Sequence, residues 1–105
     1  MSQPFRRYEI LLPLRFNDGR PVPPELFEES LADLRLRFGE SCETQTTRGR
    51  WKHEEQIYSD ELMRMYVDVP DVAENRQFFS GLKERLKARF HQLDIWMTTY
   101  PIERL

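Results

Sequence analysis

The stretch Cys42-Glu-Thr-Gln-Thr-Thr-Arg-Gly-Arg-Trp51, then Lys52-His-Glu-Glu-Gln56, then Ile57-Tyr-Ser-Asp-Glu-Leu-Met-Arg-Met-Tyr-Val-Asp-Val69, decides the fold. Its first part is a polar, Thr-rich strand signal. Its last part is a longer strand signal with period-two alternation. Met63, Met65, Val67 and Val69 share one face; Leu62, Arg64, Tyr66 and Asp68 share the other. A parallel pair needs a crossover of a dozen or more residues, usually a helix. Only a few polar residues separate these two segments, so they are read as an antiparallel hairpin. The polarity of the first marks it as an edge strand.

A strand and a helix precede this hairpin, and a helix and a strand follow it. Tyr8, Ile10, Leu12, Leu14 and Phe16 alternate with Glu9, Leu11, Pro13 and Arg15, a strand with one buried face. Pro13 removes a backbone donor and should weaken pairing there. Asn17-Asp18-Gly19 is a turn signal, and Pro21, Pro23 and Pro24 keep the next loop extended. The first helix is predicted from Pro24, with Leu26, Phe27, Leu31, Leu34 and Phe38 as its apolar stripe and Gly39 as its stop.

After Pro70, Asp71-Val-Ala-Glu74 has the form of a capping box with Asp as the cap. The second helix is predicted to turn Val72, Phe79, Leu82, Leu86, Phe90 and Leu93 to the core. The last strand runs from Ile95 to Ile102, with Ile95, Met97 and Thr99 opposite Trp96, Thr98 and Tyr100. The order strand, helix, strand, strand, helix, strand predicts an α+β ferredoxin-like βαββαβ sandwich, a four-stranded antiparallel sheet with two helices on one face. No linker, repeat or low-complexity tract interrupts it, so residues 1–105 are read as a single domain.

Composition narrows the partners. Seven Phe, four Tyr and two Trp are too many aromatics for a disordered tail. The net charge of −2 gives no general pull toward nucleic acid or anionic lipid. One cysteine, Cys42, rules out an internal disulfide. Nothing after Met1-Ser-Gln-Pro-Phe-Arg-Arg is apolar for long enough to be a signal peptide, and no run suits a membrane helix. The expectation is a cytoplasmic protein with no membrane partner.

The helices leave one sheet face open. It is predicted to carry Glu9 and Leu11, then Arg64, Tyr66 and Asp68, then Trp96, Thr98 and Tyr100, with Trp51 and Leu62 joining it. A face left to water should be mostly polar. Large rings mixed with charges point instead to an interface or a groove. Two-fold dimers are the commonest oligomers, so a homodimer is expected, with Arg64, Tyr66, Trp96, Tyr100 and Trp51 at the interface or a groove within it. A small ligand or another protein is the alternative occupant.

Catalytic signals are sparse, and no catalytic residue, metal site or cofactor is assigned. His53 lies beside Glu54 and Glu55, and a His beside carboxylates can act as a base or a ligand. Neighbours on a strand point to opposite faces, so His53 reads first as a solvated hairpin tip. Asp60, next to Glu61, is the other candidate. His91 reads as a helix-end residue. Two histidines and one cysteine at these spacings match no zinc pattern, and no GxGxxG or P-loop is present. RNA-recognition domains share this element order, but Glu9, Leu11 and Pro13 offer no stacking ring on the first strand, so nucleic acid is not expected.

Tyr8-Glu-Ile-Leu-Leu-Pro-Leu-Arg-Phe-Asn-Asp-Gly19, with Trp51 and Tyr58-Ser-Asp-Glu61, resembles small bacterial proteins of ferredoxin-like fold that carry no assigned function. At the level of fold the chain is also similar to ACT-like regulatory domains and to dimeric α+β barrel proteins. Those resemblances imply small-ligand sensing and a barrel-enclosed pocket respectively. Three readings follow: a self-associating accessory or regulatory domain; a small barrel-type enzyme using His53, Asp60 or Arg64; and a complex partner that adds a strand at Thr44 to Thr47.

Overall fold

The computed structural model describes residues 3–40, 42–43 and 47–105, and for Cys42, Glu43, Thr47 and Trp51 the backbone alone. In chain order the elements are β1 (Phe5–Pro13), α1 (Pro24–Phe38), β2 (Cys42–Glu43), β3 (Thr47–His53), β4 (Gln56–Pro70), α2 (Ala73–Arg89) and β5 (Trp96–Ile102). The sheet order is β2-β4-β1-β5, with β3 also on β4, and every pairing is antiparallel. This is the expected ferredoxin-like α+β fold with one difference. The edge strand comes as two pieces: β2 sets Cys42 against Tyr66, while β3 sets Thr47 against Leu62, one residue out of step. The sheet therefore has five strands rather than four. Of the edge proposed for strand addition, Thr44 to Thr46 lie outside the described residues.

The hairpin is tight. His53 pairs with Gln56, and Glu54 and Glu55 turn the chain with φ of 50° and 69°. Positive φ at both central residues is the signature of the turn whose twist matches a right-twisted hairpin. β4 is long, and β1 pairs only with its second half, Leu62 to Pro70. The first half projects with β3 as a two-stranded arm whose residues 52–61 are all exposed.

Alternation sorts the sheet into two faces. Tyr8, Ile10 and Leu12 of β1 and Met63, Met65, Val67 and Val69 of β4 are buried under the helices. α1 contributes Leu31 and Leu34, and α2 contributes Phe79, Leu82 and Leu86, with Phe90 just beyond its end. Phe79 stacks on Tyr8 with ring centroids 3.8 Å apart and on Phe38 at 5.6 Å. A polar clasp ties the two helices: Arg89 of α2 donates to Ser30 and Asp33 of α1, each at 2.9 Å. α1 stops at Gly39, whose φ of 82° lets its N–H reach the Arg35 carbonyl at 2.7 Å.

α2 departs from its sequence reading at both ends. Its N-cap position is Val72, with no side-chain cap bond, because Asp71 sits one residue too early and pairs instead with Arg6 of β1 at 3.2 Å. Val72 is exposed, and so is Leu93, at 95%. Leu93 lies beyond the helix end at Arg89, so the 3.6-residue period no longer aims it at the core. Leu86→Ala is accordingly expected to lose about 2–5 kcal/mol in urea unfolding. Leu93→Ala should stay within about 0.5 kcal/mol of wild type.

Candidate functional site: the open sheet face and its end cleft

Register builds the open face as three rows. Arg7 lies between Asp68 and Tyr100, Glu9 between Tyr66 and Thr98, and Leu11 between Arg64 and Trp96. The expected face residues of β1, β4 and β5 are therefore brought together. Arg7 is an addition. β1 begins at Phe5, earlier than the alternation from Tyr8 suggests, and the period-two step back from Glu9 is the signal that finds it.

The charges on this face are held by one another. Arg7 grips Asp68 with two bonds, Nε to Oδ1 at 2.7 Å and a terminal nitrogen to Oδ2 at 2.9 Å. Arg64 donates to Glu9 Oε1, and the Tyr100 hydroxyl donates to the same oxygen at 2.6 Å. Both guanidinium groups also lie over the Tyr66 ring, at 4.5 Å for Arg7 and 4.8 Å for Arg64. These four charged side chains are only 18–28% exposed, and two cations against two anions leave the lattice neutral. The rim is different. Trp96 is 67% exposed, and Tyr100 is exposed beside its polar contact. The side chain of Trp51 lies outside the described residues.

Hydrogen bonds from Arg64 and then Tyr100 hold the Glu9 carboxyl below its usual value, against the opposing effect of burial. The same contact raises the Tyr100 phenol, since ionising it would place two anions together. Asp68 raises the Arg7 guanidinium, and Glu9 raises that of Arg64.

At one end of the face, Leu11 and Trp96 border a cleft of about 680 Å³ between the arm, the β1–α1 loop and the α2–β5 loop. Its other polar walls include Arg15, Asp60, Glu61 and Asp94. Glu61 pairs with Arg48 at 3.2 Å, Asp94 with Lys83 at 3.0 Å, and Arg15 donates to the Gly19 carbonyl at 3.0 Å. The candidates His53, Asp60 and Arg64 do not converge. Their positions on the hairpin, opposite Gln56, at 60 and at 64, step along β4 by about 13 Å each time at ~3.3 Å per residue. His53 stands at the exposed tip, its Nε2 3.8 Å from Glu54. His91, in the turn after α2, stacks on Phe16 at 4.9 Å. Among the described residues, no group of three or more His, Cys, Asp or Glu side chains is placed to hold a metal ion, and no helix is long and apolar enough to cross a membrane.

No family model matches the sequence. No curated protein matches it either. Solved structures do match in fold. The divalent cation tolerance protein CutA1 of Thermus thermophilus aligns over 95% of this chain and 85% of its own, with a TM-score of 0.64 and 15% identity. CutA1 of Oryza sativa aligns over 98% and 84%, at 0.66 and 10%. A phage SAM lyase in complex with S-methyl-5'-thioadenosine aligns over 99% and 92%, at 0.67 and 15%. Identities this low establish the ferredoxin-like fold alone.

The Glu9 contacts set a pH dependence. A carboxyl held low in the folded chain adds stability that is full above its ordinary value of 4.5 and is lost as pH falls through the lowered one. Glu9→Gln keeps an acceptor for Arg64 and Tyr100 but removes the carboxylate's charge, so it should cost about 1 kcal/mol at neutral pH, the difference between a charged and a neutral acceptor. Urea midpoints of the two proteins should converge on acidification. Asp18, held low by the Arg20 backbone, and Asp94, held low by Lys83, are common to both and cancel.

Proposed function

We propose that the chain is a single-domain, self-associating accessory or regulatory protein of the cytoplasm, which covers its open sheet face with a second copy of itself. The observation that carries this is the pairing of exposed Trp96 with a neutral charge lattice. An apolar ring left largely in water favours a partner. Charges usually oppose such burial, because each must lose its hydration. Here each of the four charged groups already has its opposite, so coverage strands none of them. A two-fold contact sets the same patch against itself, and a patch of alternating sign suits that symmetry. Arg64, Tyr66, Trp96 and Tyr100 are the proposed interface residues, with Trp51 beside them.

The end cleft favours a second reading, a small barrel-type enzyme whose pocket a second copy would close. Its volume lies in the ordinary range for small-molecule sites, and the phage SAM lyase is an enzyme of this fold. Asp60 and Trp96 would then line the pocket, with Arg64 next to it. The charged groups whose partners are described are already engaged, which is why this reading stands second. Cation tolerance is the description of the CutA1 proteins, and the described residues offer this chain no donor cluster that would support it.

Size exclusion with light scattering over a concentration range tests self-association. The chain mass is 12.8 kDa, and a two-fold dimer would weigh about 26 kDa. Trp96→Asp should return the mass to that of one chain with the fold intact. A wild-type monomer at every concentration, or a folded Trp96→Asp variant of unchanged mass, would contradict the proposal.

A further inference from the structure

β1 leaves β4 early, and the edge it uncovers is unpaired. The Leu14 N–H donates to the Glu61 carbonyl at 3.1 Å. Backbone groups of successive strand residues point to opposite edges, so the odd-numbered residues of β4 face the β1 side. The hairpin gives the same answer from its other end. His53 and Gln56 close a two-residue turn, so the even-numbered residues face β3. Past Leu14 the chain folds back on itself: Val22 donates to the Leu14 carbonyl at 2.9 Å, and Phe16 to that of Arg20 at 2.8 Å. Ile57 and Ser59 thus aim their N–H and C=O groups at a row with no strand in it. These groups meet no hydrogen-bond partner among the described residues.

Unpaired edges of this kind accept a further strand. Residues 56–60, Gln-Ile-Tyr-Ser-Asp, carry neither the Pro nor the Lys that commonly guards one. The uncovered row runs along one wall of the end cleft, where Ser59, Asp60, Glu61 and Leu62 stand together. Three carboxylates, Asp60, Glu61 and Asp94, and one guanidinium, Arg15, line that cleft. Arg15 is held by the Gly19 carbonyl. Glu61 and Asp94 pair with Arg48 and Lys83, but exposed pairs of this kind are worth little. The charge there favours a basic occupant. It disfavours a second copy, because pairing this edge antiparallel to itself, Ile57 against Ser59, sets the partner's Glu55 against Glu61.

We propose that an extended basic segment of another protein adds a strand to β4 at Ile57 and Ser59, in the row that β1 leaves. The segment would exchange N–H···O=C bonds with both residues. Its cationic side chains would face Asp60 and Glu61, and apolar ones would lie beside Tyr58 and Leu62. This edge is on the opposite side of the arm from the Thr-rich edge strand, and it lies beyond the three rows of the open face. Binding there does not depend on self-association.

The test is an amide NMR titration of the full chain with a six-residue peptide of alternating lysine and valine, blocked at both ends. Two further peptides serve as controls. One is the same sequence N-methylated at every residue, which keeps the charge and loses the donors. The other has glutamate in place of lysine. The basic peptide should give saturable shifts and slowed hydrogen exchange at Ile57 and Ser59, with a Kd on the order of millimolar for so short a segment. Both controls should bind about tenfold more weakly or worse. Ser59→Pro should weaken the basic peptide to a similar degree, since it removes an N–H from the free edge and none from the ladder with β3. Shifts that stay linear would overturn the proposal, as would either control binding as tightly as the basic peptide. So would Ile57 and Ser59 amides that already exchange slowly without peptide, because a second copy would then hold the edge.

Discussion

The pairing of β1 with β4 is the constraint on which everything else in the molecule rests. Nine consecutive residue pairs, from Phe5 with Pro70 to Pro13 with Leu62, fix which side of each strand meets the helices. A slip of one residue in either strand would exchange its faces. In β1, Tyr8, Ile10 and Leu12 would go to water, and Arg7, Glu9 and Leu11 would go under α1 and α2. Each buried aliphatic side chain is worth about 1.5–3 kcal/mol, and burying unpaired charges in its place would cost more. The register is therefore locked by burial, and the open face inherits its order from that lock. Arg7 meets Asp68, and Glu9 comes within reach of both Arg64 and Tyr100, because the core on the other side leaves no alternative.

Much of this was legible in the sequence, and the limits have physical causes. Strand alternation is local, so the two faces of β4 and the contents of β5 could be read directly. The hairpin followed from chain length alone, because no crossover fits between Trp51 and Ile57. Gly39 announced the end of α1. What escaped depends on contacts between distant residues. Arg7 and Asp68 are 61 positions apart, and Arg64 and Glu9 are 55 apart. No spacing rule connects them. Asp71 carries a proper capping signature, but Arg6 of β1, distant in sequence, takes its carboxylate. The end cleft draws its walls from three separate segments. The bare Tyr8 hydroxyl, in a residue that reads simply as core, is visible only once packing is known.

The structural neighbours bear on function by contrast. The CutA1 proteins and the phage lyase keep this backbone arrangement at 6–17% identity, and their names describe unrelated roles. A ferredoxin-like sheet is thus a platform, and chemistry comes from what its exposed side chains and seams present. In this chain the platform presents a self-neutralised lattice with Trp96 and Tyr100 of β5 along one side. That combination is costly to leave bare at Trp96 and inexpensive to cover, which is the physical basis of the proposal that the face is covered by a second copy.

The most direct measurement is the fluorescence of Trp96 in a Trp51→Phe chain, with added iodide as a quencher. In the isolated chain the indole is largely in water. Coverage by a second copy requires a blue-shifted emission shielded from iodide at concentrations where the protein is assembled. A red-shifted, freely quenched emission at every concentration would contradict the claim that this face is an interface between copies.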